Sequence, residues 1–220
     1  MLQAIQISKR FGRTEVLSGV SLAVAAGERV AVIGPHRAGK TTLLRILAGA
    51  WTPDAGRVLI TGRDLEQSPV AARQRIGYLP ENAALPEDLR VGEYLRYRAR
   101  LKGLMPRAVR PRIRDLLRRA GLSDLEPAMA GRLSRGETRL ILLLDAVIHY
   151  PEVVLLDEPF LGLDGDGAAQ VRELLAALPP GRAVVMAGHH ASEAASLSAR
   201  CVMLRDGRLT MPPAAGGSEP

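Results

Sequence analysis

The apolar positions of this chain fall into short runs of strand length, and most of the segments between them are long enough for a helix. Runs rich in Val, Ile and Leu lie at residues 20–25, 30–34, 58–60, 76–79, 153–157, 183–186 and 201–204. Strands that alternate with helices lay those helices on the faces of a sheet, so the pattern predicts an α/β architecture with a mainly parallel core sheet. The beginning differs. Residues 1–8 and 20–25 alternate apolar and polar like half-buried strands with no helix-length segment between them, which predicts an antiparallel β portion near the N-terminus. Towards the other end, Asp206 and Gly207 sit between Leu204 and Leu209 as a hairpin turn would.

Between residues 91 and 144 the pattern turns helical. Helices are expected over 91–102 and 107–120, a third opens near Ser134, and no strand-like run interrupts them. This predicts a helical lobe, about 82–144, inserted in the core and joined to it near Pro80 and Arg132. Residues 1–211 then form a single domain, and 212–220 (PPAAGGSEP) are small and polar enough to form a flexible tail.

The totals fit a folded domain rather than a disordered chain: 220 residues, 47% hydrophobic and 24% charged, can bury a core without help from disulfides. The single cysteine, Cys201, excludes an internal disulfide and fits a reducing compartment. Its neighbours Val202, Met203 and Leu204 read it as a buried structural thiol. No apolar run approaches the roughly 18 residues needed to cross a bilayer, and Lys9 and Arg10 arrive before any block of signal-peptide length. The expectation is a cytoplasmic protein that reaches a membrane only through a partner. The net charge of +7 is concentrated in residues 91–120, where ten basic side chains face only Glu93 and Asp115. Such a patch suits nucleic acid, anionic headgroups or an acidic partner, and suits equally a solvated helical face written in arginine.

Two motifs carry chemistry. Gly34, Pro35, His36, Arg37, Ala38, Gly39, Lys40 and Thr41 satisfy G-x-x-x-x-G-K-[ST], after an apolar strand and before a helical stretch that begins at Thr42. Backbone N–H groups converging at the positive end of a helix hold phosphates. Lys40 would reach the β and γ phosphates of ATP, and Thr41 would ligate Mg2+. The second motif is the apolar run 153–156 followed by Asp157 and Glu158, which delivers two carboxylates to the sheet edge where ligands bind. Asp157 suits a contact to Mg2+, and Glu158 suits a general base that activates the attacking water. A third feature, Ser134 with Glu137 three residues on, is a capping box at a helix start.

With Leu133, Ser134, Arg135, Gly136 and Glu137 lying between the glycine loop and the acidic strand end, the chain up to about Leu209 resembles the ATP-binding subunit of an ABC transporter. The five residues are similar to that family's signature loop. The resemblance implies that Ser134 and Gly136 face the γ-phosphate held by a second ATP-binding subunit, so that ATP is sandwiched in a dimer, here a homodimer. It implies that Phe11 stacks on adenine, that Asp164 lies in the loop crossing to the partner's site, that His189 contacts the γ-phosphate, and that Glu81 joins Thr41 and Asp157 around Mg2+. An integral membrane transporter subunit is the implied partner, and nucleic acid is not. The run Gly77, Tyr78, Leu79, Pro80, Glu81 is similar to export-type members, which points to export.

The chain departs from the family pattern at several positions. His36 and Arg37 replace Asn and Gly, Glu81 and Glu137 each replace Gln, and Arg135 replaces Gly. An arginine at position 37 is strained if that position takes a positive φ. Two other readings stay open from the residues: a soluble ABC ATPase acting on nucleic acid or ribosomes, motivated by the basic lobe, and a weakly hydrolysing nucleotide-dependent regulator, motivated by His36 and Arg37.

Overall fold

The computed structural model describes residues 1–189, 191–197 and 199–210. In chain order the first elements are β1 (Leu2–Phe11), β2 (Thr14–Val24), β3 (Arg29–Ile33), α1 (Lys40–Leu47), β4 (Ala55–Ile60), β5 (Arg63–Asp64), α2 (Pro69–Arg73) and β6 (Ile76–Leu79). Then follow α3 (Val91–Leu101), α4 (Pro106–Arg119), α5 (Arg135–Val147), β7 (Val153–Asp157), α6 (Gly165–Ala176), β8 (Ala183–Gly188), α7 (Ala191–Ser196), β9 (Arg200–Arg205) and β10 (Arg208–Thr210). The tail expected at 212–220 lies outside the described residues, as does His190.

The strands form two sheets. The core sheet has the order β10-β9-β3-β8-β7-β6, parallel from β9 to β6, with β10 closing it as an antiparallel hairpin on β9. The N-terminal strands make a separate antiparallel sheet of order β2-β1-β4-β5. Both parts of the predicted fold class are therefore present. The antiparallel portion is larger than the alternation suggested: β2 starts at Thr14, where Thr14, Glu15 and Ser18 blur the apolar run, and only its pairing with β1 reveals it.

Alternation along the core strands sends neighbours to opposite faces. Val30, Val32, Val153, Leu155, Ala183 and Val185 face a cluster shared with α1 and the antiparallel sheet. Ala31, Ile33, Val154, Leu156, Val184 and Met186 face a second cluster, shared with α3, α4, α5 and α6. Both faces being covered, these strands read as unbroken apolar runs rather than as alternating ones. α5 begins in the helical region and ends against β6, where Gly77 permits the approach: a Cβ there would lie 2.2 Å from the Ala146 carbonyl oxygen.

Much of the basic charge on α3 and α4 is used inside the chain. Arg98 and Lys102 pair with the buried Asp145 of α5, and Arg112 donates to the carbonyls of Val147 and Ile148 and stacks on Tyr150. Arg118 and Arg119 pair with Asp115.

Candidate active site

Strands β3, β8, β7 and β6 are neighbours and parallel, so all four end at one edge of the sheet and open their loops together. The loop after β3 runs through residues 34–39 into α1. Gly39 takes φ +101°, and a Cβ on it would fall 2.9 Å from the Val16 carbonyl, so glycine is required there. Arg37 takes φ +64°, so the strain anticipated for an arginine at this position is present. Lys40 opens α1 and is buried, its Nζ donating to the carbonyls of Gly34 at 2.8 Å and Pro35 at 3.1 Å. Burial pulls the ammonium below its ordinary pKa while Glu158, Asp157 and Glu81 push the other way.

The acidic residues face this loop. Asp157 is fully buried at the end of β7, and Thr41 Oγ1 stands 3.4 Å from both Asp157 Oδ1 and Glu81 Oε2. Asp157 Oδ2 has no hydrogen-bond partner among the described residues. Burial holds the Asp157 carboxyl above its ordinary pKa, with Thr41 opposing. Glu158 follows at φ +50°, and its backbone N–H donates to Ala187 at 3.0 Å. Burial pushes its carboxyl up to about 7, against the pull of Lys40. That places its titration close to neutral pH, the range in which a general base is most effective.

His189, just past β8, bridges the two halves. Its Nδ1 is 3.3 Å from Lys40 Nζ and its Nε2 is 3.0 Å from Glu158 Oε1. An ammonium can only donate, so Nδ1 accepts and Nε2 carries the hydrogen turned to Glu158. The His36 ring packs on the same imidazole with centroids 3.9 Å apart. Lys40, Thr41, Glu81, Glu158 and His189 line one open cleft of about 170 Å3, together with Val16 and the rest of residues 36–42.

Phe11, Ser134, Gly136 and Asp164 do not line that cleft. Phe11 ends β1 and is 45% exposed, its ring edge-on to Trp51 at 5.3 Å with Lys9 Nζ over it at 5.8 Å from the centroid, a surface position rather than a core one. Ser134 is exposed and caps α5, accepting from the Glu137 N–H while Glu137 accepts from the Ser134 N–H. Asp164 caps α6 by accepting from Gly167 at 2.8 Å, so its side chain already has a local structural job.

The family model described as ABC transporter matches residues 17–161, which contain the phosphate loop, the Ser134 cap and the acidic strand end. The chain belongs to the ABC transporter family. Among curated ABC relatives, it is 38% identical over 91% of its length to the daunorubicin resistance ATP-binding protein DrrA3 of Streptomyces coeruleorubidus, covering 64% of that protein. It is 36% identical over 92% of its length to the Nod factor export ATP-binding protein I of Burkholderia lata, covering 67%. It is 35% identical over 92% to the sulfate/thiosulfate import ATP-binding protein CysA of Nephroselmis olivacea, covering 60%. The chain thus spans about two thirds of the length of these ABC relatives. A solved ATP-binding subunit of an ABC transporter superposes with a TM-score of 0.85 at 28% identity, covering 95% of this chain and 88% of that one.

One residue of this ABC site was not legible in the motifs. Arg139, on α5, lies beside both acidic loops with its side chain buried. The available signal was a charge opening an otherwise apolar stretch, Arg139 to Leu144, that has to be buried.

Proposed function

We propose that this chain binds and hydrolyses ATP, dimerises around it, and drives a separate integral membrane subunit, in the direction of export. The observation that carries the reading is the convergence of Lys40, Thr41, Asp157, Glu158 and His189 at the ends of adjacent parallel strands. The backbone of residues 34–41 would hold the phosphates at the positive end of α1, with Lys40 offsetting charge on the β and γ groups. Glu158 takes a proton from the water that attacks the γ-phosphorus as the bond to the β-phosphate oxygen breaks, and His189 holds that carboxylate in place. Mg2+ fits the residues present. Thr41, Glu81 and Asp157 offer the hard oxygens it favours, and Asp157 Oδ2 is buried with no hydrogen-bond donor among the described residues. Among the described residues no three His, Cys, Asp or Glu side chains are placed to hold a metal by themselves, so the ion would arrive with the nucleotide's own oxygens. When bound it would neutralise charge on the phosphates.

The second subunit, most simply another copy, would bring the exposed Ser134 tip and the Asp164 loop to the cleft from which both are missing. Phe11, half-exposed at the end of β1, would take the adenine. Among the described residues no helix is long and apolar enough to cross a membrane, which agrees with a chain that sits at the cytoplasmic face through its partner. A groove of about 380 Å3 between the Glu81 loop and α3, lined by Pro80, Ala83, Leu89, Tyr94 and Tyr97, is the place where a cytoplasmic helix of that partner would dock. Export is favoured by the run Gly77 to Glu81 and by the name of the Nod factor relative; the CysA relative is named for import. The nucleic-acid reading loses much of its support, since Arg98, Lys102, Arg112, Arg118 and Arg119 are engaged within the chain.

Phosphate release from ATP and Mg2+ by the purified chain tests the chemistry. Parent turnover, lost in Glu158→Gln with ATP binding kept, is expected; a Glu158→Gln chain that hydrolyses at the parental rate contradicts it. Copurification from detergent extracts tests the partner. An integral membrane protein should come with the chain, and its consistent absence would remove the transport role while leaving the ATPase.

A further inference from the structure

Arg139 belongs to none of the sequence motifs, yet its guanidinium sits where the two acidic loops leave the sheet. The residue is 6% exposed. Its Nη1 donates to the carbonyls of Pro80 at 2.9 Å and Glu81 at 3.1 Å. Its Nη2 donates to the carbonyls of Asp157 and Glu158, the latter at 2.7 Å. Each terminal nitrogen therefore holds one loop, the first the turn after β6 and the second the turn after β7. Five positions earlier on the same helix, Ser134 caps α5 at the surface. At about 1.5 Å of rise per residue, the backbones of Ser134 and Arg139 lie roughly 7.5 Å apart along the axis of one helix.

A buried guanidinium is unfavourable unless its donors are satisfied and its charge is balanced. Here four carbonyls take the two terminal nitrogens, Nε has no hydrogen-bond partner among the described residues, and Asp157, Glu158 and Glu81 supply the opposite charge. The backbone it holds also needs holding. Glu158 stands at φ +50°, a conformation that a non-glycine residue keeps only where its surroundings over-determine it. Three bonds do so: its N–H donates to Ala187, and its carbonyl accepts from the Leu161 N–H and from Arg139.

We infer that Arg139 is a positioning residue for ATP hydrolysis, fixing the Glu81 and Glu158 backbones relative to each other and to the Ser134 tip of α5. A second subunit closing on Ser134 then bears on both acidic loops through one helix. This rests on the reading in which Glu158 activates the attacking water.

Lysine keeps the charge but carries a single nitrogen and cannot serve both loops in the same way. Arg139→Lys is expected to keep ATP affinity within about threefold while kcat falls about 100-fold, the scale on which small misplacements of reacting groups act. Arg139→Ala, assayed with and without added guanidinium ion, supplies the second arm, and the ion should restore part of kcat. A parental kcat in Arg139→Lys overturns the inference. So does a joint fall of kcat and ATP affinity in both variants with no recovery by guanidinium, the mark of a merely structural residue. Glu158→Gln separates the two levels. If it hydrolyses ATP normally, the catalytic reading itself falls; if it is inactive beside a fully active Arg139→Lys, only the positioning role falls.

Discussion

Arg37→Gly should make the protein more stable, although it removes the side chain from a phosphate-binding loop. Arg37 holds φ +64°, and its exposed guanidinium has no hydrogen bond or ion pair among the described residues. The left-handed conformation costs an ordinary residue about 1–2 kcal/mol. Glycine removes that strain but leaves a more flexible unfolded chain, which returns about 0.5–1 kcal/mol. The net gain is about 0–1.5 kcal/mol, and for a domain of this size it raises Tm by up to about 6 °C. The assay is thermal unfolding without nucleotide, with Arg37→Ala as the control that removes the guanidinium and keeps the strain. Alanine should match the parent. If it stabilises as much as glycine, or if glycine lowers Tm, the strain argument is wrong. ATP turnover in Arg37→Gly should stay within about threefold of the parent, because the loop would bind phosphates through backbone N–H groups already in place. A large gain in turnover would instead favour the weakly hydrolysing regulator.

Four further outcomes follow from the site. The pH profile of kcat/KM, which reports the free enzyme, should rise with pH through about 7, because Glu158 must lose its proton to act as a base and burial holds that proton up to about 7; a flat profile from pH 5 to 8 would remove Glu158 as the base. Phe11→Ala should weaken ATP binding about tenfold, as expected for loss of a base stack worth about 1–3 kcal/mol, while Phe11→Tyr should bind like the parent. The fluorescence of Trp51, the chain's one tryptophan, should respond to ATP in the parent because its ring touches Phe11. Ser134→Ala should lower stability by about 1 kcal/mol through the lost cap and should also abolish ATP-dependent dimerisation, so that a stability loss alone would leave Ser134 as a cap and nothing more.

The core strands were legible because they are buried on both faces, which turns β7 into an unbroken apolar run closed by Asp157 and Glu158. The phosphate loop was legible because its glycines and lysine have few substitutes in that geometry. β2 was less so. Its first half carries Thr14, Glu15 and Ser18, and pairing with β1 rather than side-chain pattern makes it a strand. The function of Arg139 could not be read at all from spacing, since its partners are backbone carbonyls on loops 58 and 19 residues away. The bridge that His189 makes between Lys40 and Glu158 likewise depends on β8 lying between β3 and β7, an order that crosses the sequence. Asp164 is placed in a loop crossing to a partner's site by the resemblance alone, and within one chain its carboxylate caps a helix.

The central claim is that two chains enclose ATP between the Lys40 loop of one and the Ser134 tip of the other. Light scattering of purified Glu158→Gln with excess ATP and Mg2+ tests it most directly, since blocking proton removal should trap the closed form. A mass of twice the chain that returns to one chain when Ser134→Ala is added agrees with the account; a chain that remains monomeric and unliganded contradicts it.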